Sequence, residues 1–290
     1  MPFPFLGEEQ QLNETTRASA DGSFVRLPDG VTHYELVGPP SGSPVVLIHG
    51  FSVPYFIFDP TFDFLTASGF RVLRYDLFGR GWSDRPQLPY KIDLFVRQLR
   101  DLLDALNFTS PVALVGLSMG GPISARFTVL HPERVSRNVL IDPSGTHPVR
   151  LGGLRLLTLP LVGELLLGLF GREGFVKMVA SDFFDPAWVD HFQAQYLPQI
   201  RFKGFRRAIL STIRGDALGD FSDTYHSLGA LGKSTLLIWG RQDKTVLFTQ
   251  SADLMKLLPY ARFHPIEGVG HIPHYERPTE VNRILLEFLS

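Results

Sequence analysis

The chain has 290 residues, 44% of them hydrophobic, so it can bury a substantial core in one large α/β domain or in a core with an inserted piece. Its formal net charge of −1, with the two signs evenly mixed, gives no reason to expect a nucleic acid or an anionic membrane as partner. The absence of cysteine excludes disulfides, thiolate metal sites and a cysteine nucleophile.

Residues 1–22 form an N-terminal extension to the predicted core. The opening stretch MPFPFLGEEQQLNETTRASADGS has neither a basic leader nor a long apolar run, so it does not have the pattern of a signal peptide, and we expect a cytoplasmic location. The next stretch, SFVRLPDGVTHYELVG, alternates apolar and polar residues on both sides of Pro28-Asp29-Gly30. This pattern is typical of an antiparallel hairpin at the edge of a sheet.

Short runs rich in Val, Leu and Ile predict the strands of a parallel sheet. In chain order they are PVVLIHG, FRVLRYD, PVALVG, RVSRNVLIDPSG, STLLIWG and ARFHPIEG. Helix-length segments lie between and after them, notably residues 91–106, GPISARFTVLHPERV and the closing PTEVNRILLEFL. The order predicts an α/β fold with a mostly parallel, doubly wound sheet, whose core comprises residues 23–145 and 231–290.

Residues 146–230 break this alternation, because the segment is long, mostly helical in pattern and without a convincing buried strand. We interpret it as an inserted helical cap. Its stretch LRLLTLPLVGELLLGLF is the most apolar in the chain, yet it is too short and too charged to span a bilayer. The stretch could line an acyl pocket, or make peripheral contact with lipid, although simple packing on the core is favoured over lipid contact.

Three reactive side chains follow predicted parallel strands, at the sheet edge where such folds bind ligands. Ser118 lies in Gly-x-Ser-x-Gly between PVALVG and a helix, the context of a nucleophile on a sharp turn. Asp243 follows STLLIWG, and His271 follows the last strand. Ser, Asp and His in this order predict a catalytic triad, in which Asp142 competes for the role of the acid and His274 for that of the base.

Five stretches resemble the α/β-hydrolase superfamily and occur in its order: VVLIHGF, YDLFGRGWSDRP, GLSMGG, LLIWGRQDKTV and GVGHIPHYERP. The resemblance covers nearly the whole chain apart from the extension and the cap. It implies the α/β-hydrolase fold, with Ser118 as nucleophile, His271 as general base and Asp243 as the residue that orients the base. The backbone N–H groups of Met119 and Phe51 are the candidates for the oxyanion hole. No cofactor and no metal is predicted.

Other polar residues of these stretches are interpreted as structural. Asp76, Arg80 and Asp84 are expected to tie the YDLFGRGWSD loop together through hydrogen bonds. His49, in HGF, is also expected to be structural rather than catalytic.

The superfamily hosts many reactions, so the fold alone does not give the function. A serine at the nucleophile position disfavours dehalogenases and epoxide hydrolases, which use aspartate there. We therefore expect a carboxylesterase or monoacylglycerol-lipase-like hydrolase of hydrophobic esters with short- to medium-chain acyl groups. One alternative is a meta-cleavage-type carbon–carbon bond hydrolase, for whose anionic substrate the cap offers Arg150, Arg155, Arg201 and Arg214. Another is a catalytically silent receptor for a hydrophobic ligand, and the oligomeric state stays open.

Overall fold

The computed structural model describes residue 5, residues 7–148 and residues 152–290, with the backbone alone for residues 152–154. The strands of this part of the chain are β1 Ser23–Leu27, β2 Gly30–Val37, β3 Pro44–Ile48, β4 Arg71–Tyr75, β5 Val112–Leu117, β6 Val135–Ile141, β7 Thr235–Gly240 and β8 Arg262–Ile266. They form one sheet in the order β1-β2-β4-β3-β5-β6-β7-β8. β1 and β2 pair antiparallel at one edge, and β3 to β8 pair parallel. The predicted fold class and the edge hairpin are confirmed.

In chain order the helices are α1 Glu14–Arg17, α2 Asp59–Ala67, α3 Ile92–Ala105, α4 Gly120–Leu130, α5 Val162–Ser181, α6 Val189–Gln199, α7 Phe205–Arg214, α8 Ser222–Ala230, α9 Ser251–Leu257, α10 Pro273–Glu276 and α11 Pro278–Leu289. Helices α2, α3 and α4 contact strands of this sheet, whereas α5, α6 and α7 lie in the segment between β6 and β7. Short 3₁₀ helices occupy Tyr55–Phe58, Pro132–Arg134, Gly152–Thr158, Pro186–Trp188 and Phe248–Gln250.

The strand β3 shows why the central runs are continuously apolar. Its side chains point alternately to the two faces of the sheet. Val45 and Leu47 pack in the core with α2, α11 and the cap helices, whereas Val46 and Ile48 pack with α3, α4 and α8. Both faces of the sheet are therefore buried at β3. Apolar side chains are favoured at every position of such a strand, because none of them reaches solvent.

The helix α5 is apolar on two opposite faces. Its inward face carries Leu167, Phe175 and Val179, which are buried. On the opposite face of the helix, Val162, Leu165 and Leu169 are exposed. Leu156 and Leu161, in the segment that precedes the helix, are exposed as well. These residues were expected to offer apolar surface to an acyl chain, but helical periodicity turns them to the outside.

No helix in the described part of the chain combines the length and the apolar character that crossing a membrane requires. Lipid contact through the outward leucines stays a prediction. α8, the last helix of the segment interpreted as the cap, packs against α4 and α9 of the core. The cap boundaries at residues 146 and 230 also stay predictions.

Candidate active site

Ser118 occupies a strained turn between β5 and α4. Its φ of +52° lies in the left-handed region that side chains rarely adopt, a strain that marks functional turns more often than ordinary ones. The turn is held by neighbouring backbone, because Ser118 N–H donates to the carbonyl of Ile141 (2.9 Å) and Gly121 N–H donates to the carbonyl of Ser118 (2.9 Å). The hydroxyl is therefore presented at the carboxyl edge of the sheet.

The glycines of the motif are required by close backbone approach. A methyl group on Gly116 would lie 2.3 Å from the carbonyl oxygen of Gly120, and one on Gly120 would lie 2.2 Å from that of Ile48. A methyl group on Gly50 would reach within 3.7 Å of Ser118 Oγ. Gly50 therefore keeps the space beside the hydroxyl open, whereas Gly116 and Gly120 allow the strand and the helix to meet.

Asp243 and His271 are brought together at the same edge. His271 Nδ1 and Asp243 Oδ2 are 2.7 Å apart, and both side chains are buried. The other oxygen of Asp243 accepts N–H donors from Thr245 (2.7 Å) and Val246 (2.9 Å), which fixes the carboxylate. Because a carboxylate only accepts, Nδ1 of a neutral His271 carries the proton, and Nε2 is left as the base.

The charge around His271 sets its basicity. Burial lowers the pKa of His271, but the charge and hydrogen bond of Asp243 outweigh burial and raise the pKa above its ordinary value. The cap residue Asp182 adds to this effect. Burial raises the pKa of Asp182 itself to about 6. The protonated form of His271 is thus stabilised by the carboxylates of Asp243, which follows β7, and of Asp182, which follows α5.

The predicted oxyanion donors belong to Met119, which follows Ser118 in the chain, and to Phe51, which follows Gly50 beside Ser118. Within residues 7–148 and 152–290, the N–H groups of Met119 and Phe51 donate to no other group. Behind Phe51 lies the fully buried Arg80, whose Nε donates to the carbonyl of Phe51 (2.7 Å) and whose Nη2 donates to Thr212 (2.9 Å). Its Nη1 donates to the carbonyl of Phe78 within the loop (3.1 Å), in agreement with the expected structural role.

A seam of hydrogen bonds fastens the cap to the loop of His271. The N–H of His271 donates to the carbonyl of Asp182 (2.7 Å). The carboxylate of Glu276 accepts the N–H groups of Phe184 and Asp185 (2.9 Å each) and, on its other oxygen, that of Gly270 (2.6 Å). We call these contacts the cap seam. The seam makes the backbone before and at His271 part of the cap interface.

The competing residues have other partners. His274 Nε2 contacts the carbonyl of Ile57 (3.1 Å), and burial lowers the pKa of His274 to about 3, which makes it a poor base. His49 Nε2 accepts the N–H of Leu77 (2.9 Å), in agreement with a structural role.

The two aspartates of the YDLFGRGWSD loop also hold backbone in place. Asp76 accepts the N–H groups of Tyr55 and Trp82 (2.9 Å each), and Asp84 accepts that of Val31 (2.7 Å).

One cluster in the described residues has the composition of a metal site. Ligand atoms of Asp142, Asp243 and His271 all lie within 4.8 Å of one another. Since Asp243 and His271 already bond to each other, the triad accounts for two of the three groups. Only the presence of the third group, Asp142, in this cluster remains to be explained.

The cap arginines that could bind an anionic substrate are largely engaged. Arg214 forms an ion pair with Glu164 (2.6 Å), and Arg201 pairs with Glu9 (3.1 Å) in an exposed position. Arg155 is exposed, and Arg150 lies outside the described residues. None of the three described arginines is a buried, unpaired cation.

The mostly parallel sheet, with Ser118, Asp243 and His271 after the ends of its strands, indicates the class of protein to which the chain belongs. A family model described as the alpha/beta hydrolase family matches residues 45–284, and the chain belongs to this family. The expected resemblance is thereby confirmed.

Similar proteins cover more than nine tenths of the chain. A 2-hydroxy-6-oxononadienedioate/2-hydroxy-6-oxononatrienedioate hydrolase of Pseudomonas putida is 30% identical over 92% of this chain and 96% of its own. A 2-hydroxy-6-oxo-6-phenylhexa-2,4-dienoate hydrolase of Comamonas testosteroni is 27% identical over 91% of this chain and 92% of its own. A solved meta-cleavage product hydrolase from Pseudomonas fluorescens superposes with a TM-score of 0.76 at 27% identity, covering 92% of this chain and 97% of that one. These similarities support hydrolase activity for the chain.

The sequence pattern did not reveal Asp182 and Glu276. Glu276 follows His271 by five positions, but nothing in its neighbours indicates that it contacts the cap. Asp182 ends a helix of the cap, and no local signal places it beside the histidine.

Proposed function

We propose that the chain is a serine hydrolase whose substrate is a ketone with a carbon leaving group, of the meta-cleavage type. The observation that carries this proposal is the full-length similarity to hydrolases of that type. The buried Asp243–His271 pair and the strained turn at Ser118 support the serine chemistry.

In the proposed reaction, Ser118 Oγ attacks the ketone carbon while His271 Nε2 takes the hydroxyl proton. The N–H groups of Met119 and Phe51 bind the resulting oxyanion. Collapse of this intermediate breaks the carbon–carbon bond and expels a delocalised enolate, to which His271 returns its proton. Water, deprotonated by His271, then hydrolyses the acyl-enzyme to a carboxylic acid and free Ser118.

This chemistry demands a particular substrate. A carbanion is a poor leaving group unless its charge is delocalised into a conjugated carbonyl system. The 2-hydroxy-6-oxo dienoate acquires that delocalisation by tautomerisation, in which the proton of the 2-hydroxyl group moves to carbon 5 and leaves a 2-oxo group conjugated with one double bond. The charge left on carbon 5 after cleavage is then delocalised through that double bond onto the 2-oxo group. An ester needs no such step, because its leaving group is an alkoxide.

Ester hydrolysis is a second candidate, favoured by the charges of the site. Arg201 and Arg214 are paired, and Asp182 adds a carboxyl group near His271. The negative charge of Asp182 beside His271 repels an anionic dienoate, whereas it exerts no such repulsion on an uncharged ester. The same triad would cleave an ester with an alcohol as leaving group.

The test is a side-by-side assay of the purified chain. One substrate is 2-hydroxy-6-oxo-6-phenylhexa-2,4-dienoate, followed by loss of its conjugated chromophore, and the others are p-nitrophenyl esters from acetate to long chains. We expect the largest kcat/KM for the dienoate, and the Ser118→Ala variant controls for background hydrolysis. Faster turnover of any ester would overturn the proposal in favour of ester hydrolysis. Turnover of neither class would favour a silent receptor.

A further inference from the structure

Asp142 stands at the end of β6 in an unusual setting. It is fully buried, and its φ of +41° places it in the left-handed region. Its Oδ1 accepts the N–H of Gly240 (2.8 Å), but its Oδ2 has no hydrogen-bond donor among the described residues. A buried carboxylate oxygen without a donor is costly, whereas a protonated one can itself donate.

The neighbour that could accept such a proton is Asp243. Carboxylate oxygens of the two aspartates lie within 4.8 Å of each other in a dry site, where two like charges cannot both persist. Asp243 accepts from Thr245 and Val246 and contacts His271, whereas Asp142 accepts one N–H. Hydrogen bonds favour the charged form, so the negative charge belongs on Asp243 and the proton on Asp142.

We propose that Asp142 is a protonated carboxylic acid whose Oδ2–H donates a hydrogen bond to Asp243, which makes Asp142 a positioning residue for the acid of the triad. The inference rests on the proposed serine chemistry for its functional meaning. The extra hydrogen bond holds Asp243 toward His271. Neutrality of Asp142 also keeps the pair at one negative charge, which limits how tightly His271 retains its proton.

The surroundings of Asp142 favour its protonated form. Burial raises the pKa of Asp142 well above its ordinary value, and the negative charges of Asp243 and Glu276 raise it further. The N–H of Gly240 acts in the opposite direction. The other titratable groups around Asp243 are His271 and Asp182.

The first test compares two substitutions. In Asp142→Asn the amide oxygen still accepts from Gly240 and the amide nitrogen still donates to Asp243, so we expect kcat close to that of the wild type. Asp142→Ala has no donor, so we expect kcat to fall about 10- to 100-fold, the equivalent of one hydrogen bond to a charged group. Equal loss in both variants, or no loss in Asp142→Ala, would overturn the proposal.

The second test needs no substrate and no alanine variant. At pH 7, the infrared difference spectrum of the wild type minus Asp142→Asn should show the C=O band of a protonated carboxylic acid, which shifts in D₂O. The exposed Asp190 provides the control, because Asp190→Asn should remove only carboxylate bands. A missing acid band would refute the protonation of Asp142. If the band is present but no substrate is turned over, the proposed function has failed and this inference has not.

Discussion

Replacing Glu276 by alanine tests the cap seam directly. The change removes the acceptor of three backbone N–H groups, those of Gly270, Phe184 and Asp185. Gly270 is buried, whereas Phe184 and Asp185 are exposed and can turn to water. We therefore expect the full free-energy cost of an unpaired buried donor for the N–H of Gly270. For the N–H groups of Phe184 and Asp185 we expect only a fraction of that cost.

A buried donor left without a partner costs about 1–3 kcal/mol, so the variant should lose about 2–4 kcal/mol of unfolding free energy. For a chain of 290 residues that corresponds to a fall in Tm of about 3–7 °C. Turnover should fall as well, because Gly270 precedes His271 and loses its fixed position.

Thermal unfolding and amide hydrogen exchange check this prediction. The amides of Gly270, Phe184 and Asp185 should exchange faster in Glu276→Ala than in the wild type. The matched control is Glu287→Ala, which removes an exposed glutamate from α11 and should change neither property. An unchanged Tm together with unchanged exchange at these amides would refute the idea that Glu276 fastens the cap.

Three further outcomes concern the triad. Ser118→Ala should lose about 10³-fold or more of kcat with Tm unchanged, because the covalent step needs the hydroxyl; retained activity would exclude the serine as nucleophile. Asp243→Asn should lower kcat far more than Asp142→Asn, and the reverse ranking in folded variants would transfer the role of the acid to Asp142. The neutral form of His271 is the base, and its pKa is raised, so kcat/KM should increase with pH through a midpoint above the ordinary histidine value of about 6.5. Asp243→Asn should move that midpoint downward, and a flat profile between about pH 5 and 9 would contradict a histidine base.

Much of the fold could be predicted because it depends on local patterns. The apolar run PVALVG became β5, and PTEVNRILLEFL matches α11 residue for residue. Both patterns follow from burial of a strand on two faces and of a helix on one. The order of Ser118, Asp243 and His271 likewise needed only the rule that parallel strands end at one edge.

The remaining features depend on contacts between distant segments. The outward leucines of α5 could not be distinguished from inward ones, because both of its faces are apolar. Asp182 reaches His271 only after the cap has docked on the core. The proton of Asp142 depends on the distance to Asp243, which no pattern encodes. No local pattern specifies the substrate, and the expected ester gave way to the carbon–carbon proposal because of the similar proteins.

The cap seam has a consequence for engineering. Caps invite exchange between related hydrolases as a route to new substrate ranges. In this protein, a grafted cap must supply a carbonyl for the N–H of His271 and two N–H groups for Glu276. A chimaera joined between Asp182 and Asp185 would disturb the backbone at His271 along with the cap. Crossover points should therefore leave residues 182–185 with the core, so that a new cap is acquired without losing the backbone contacts that hold His271.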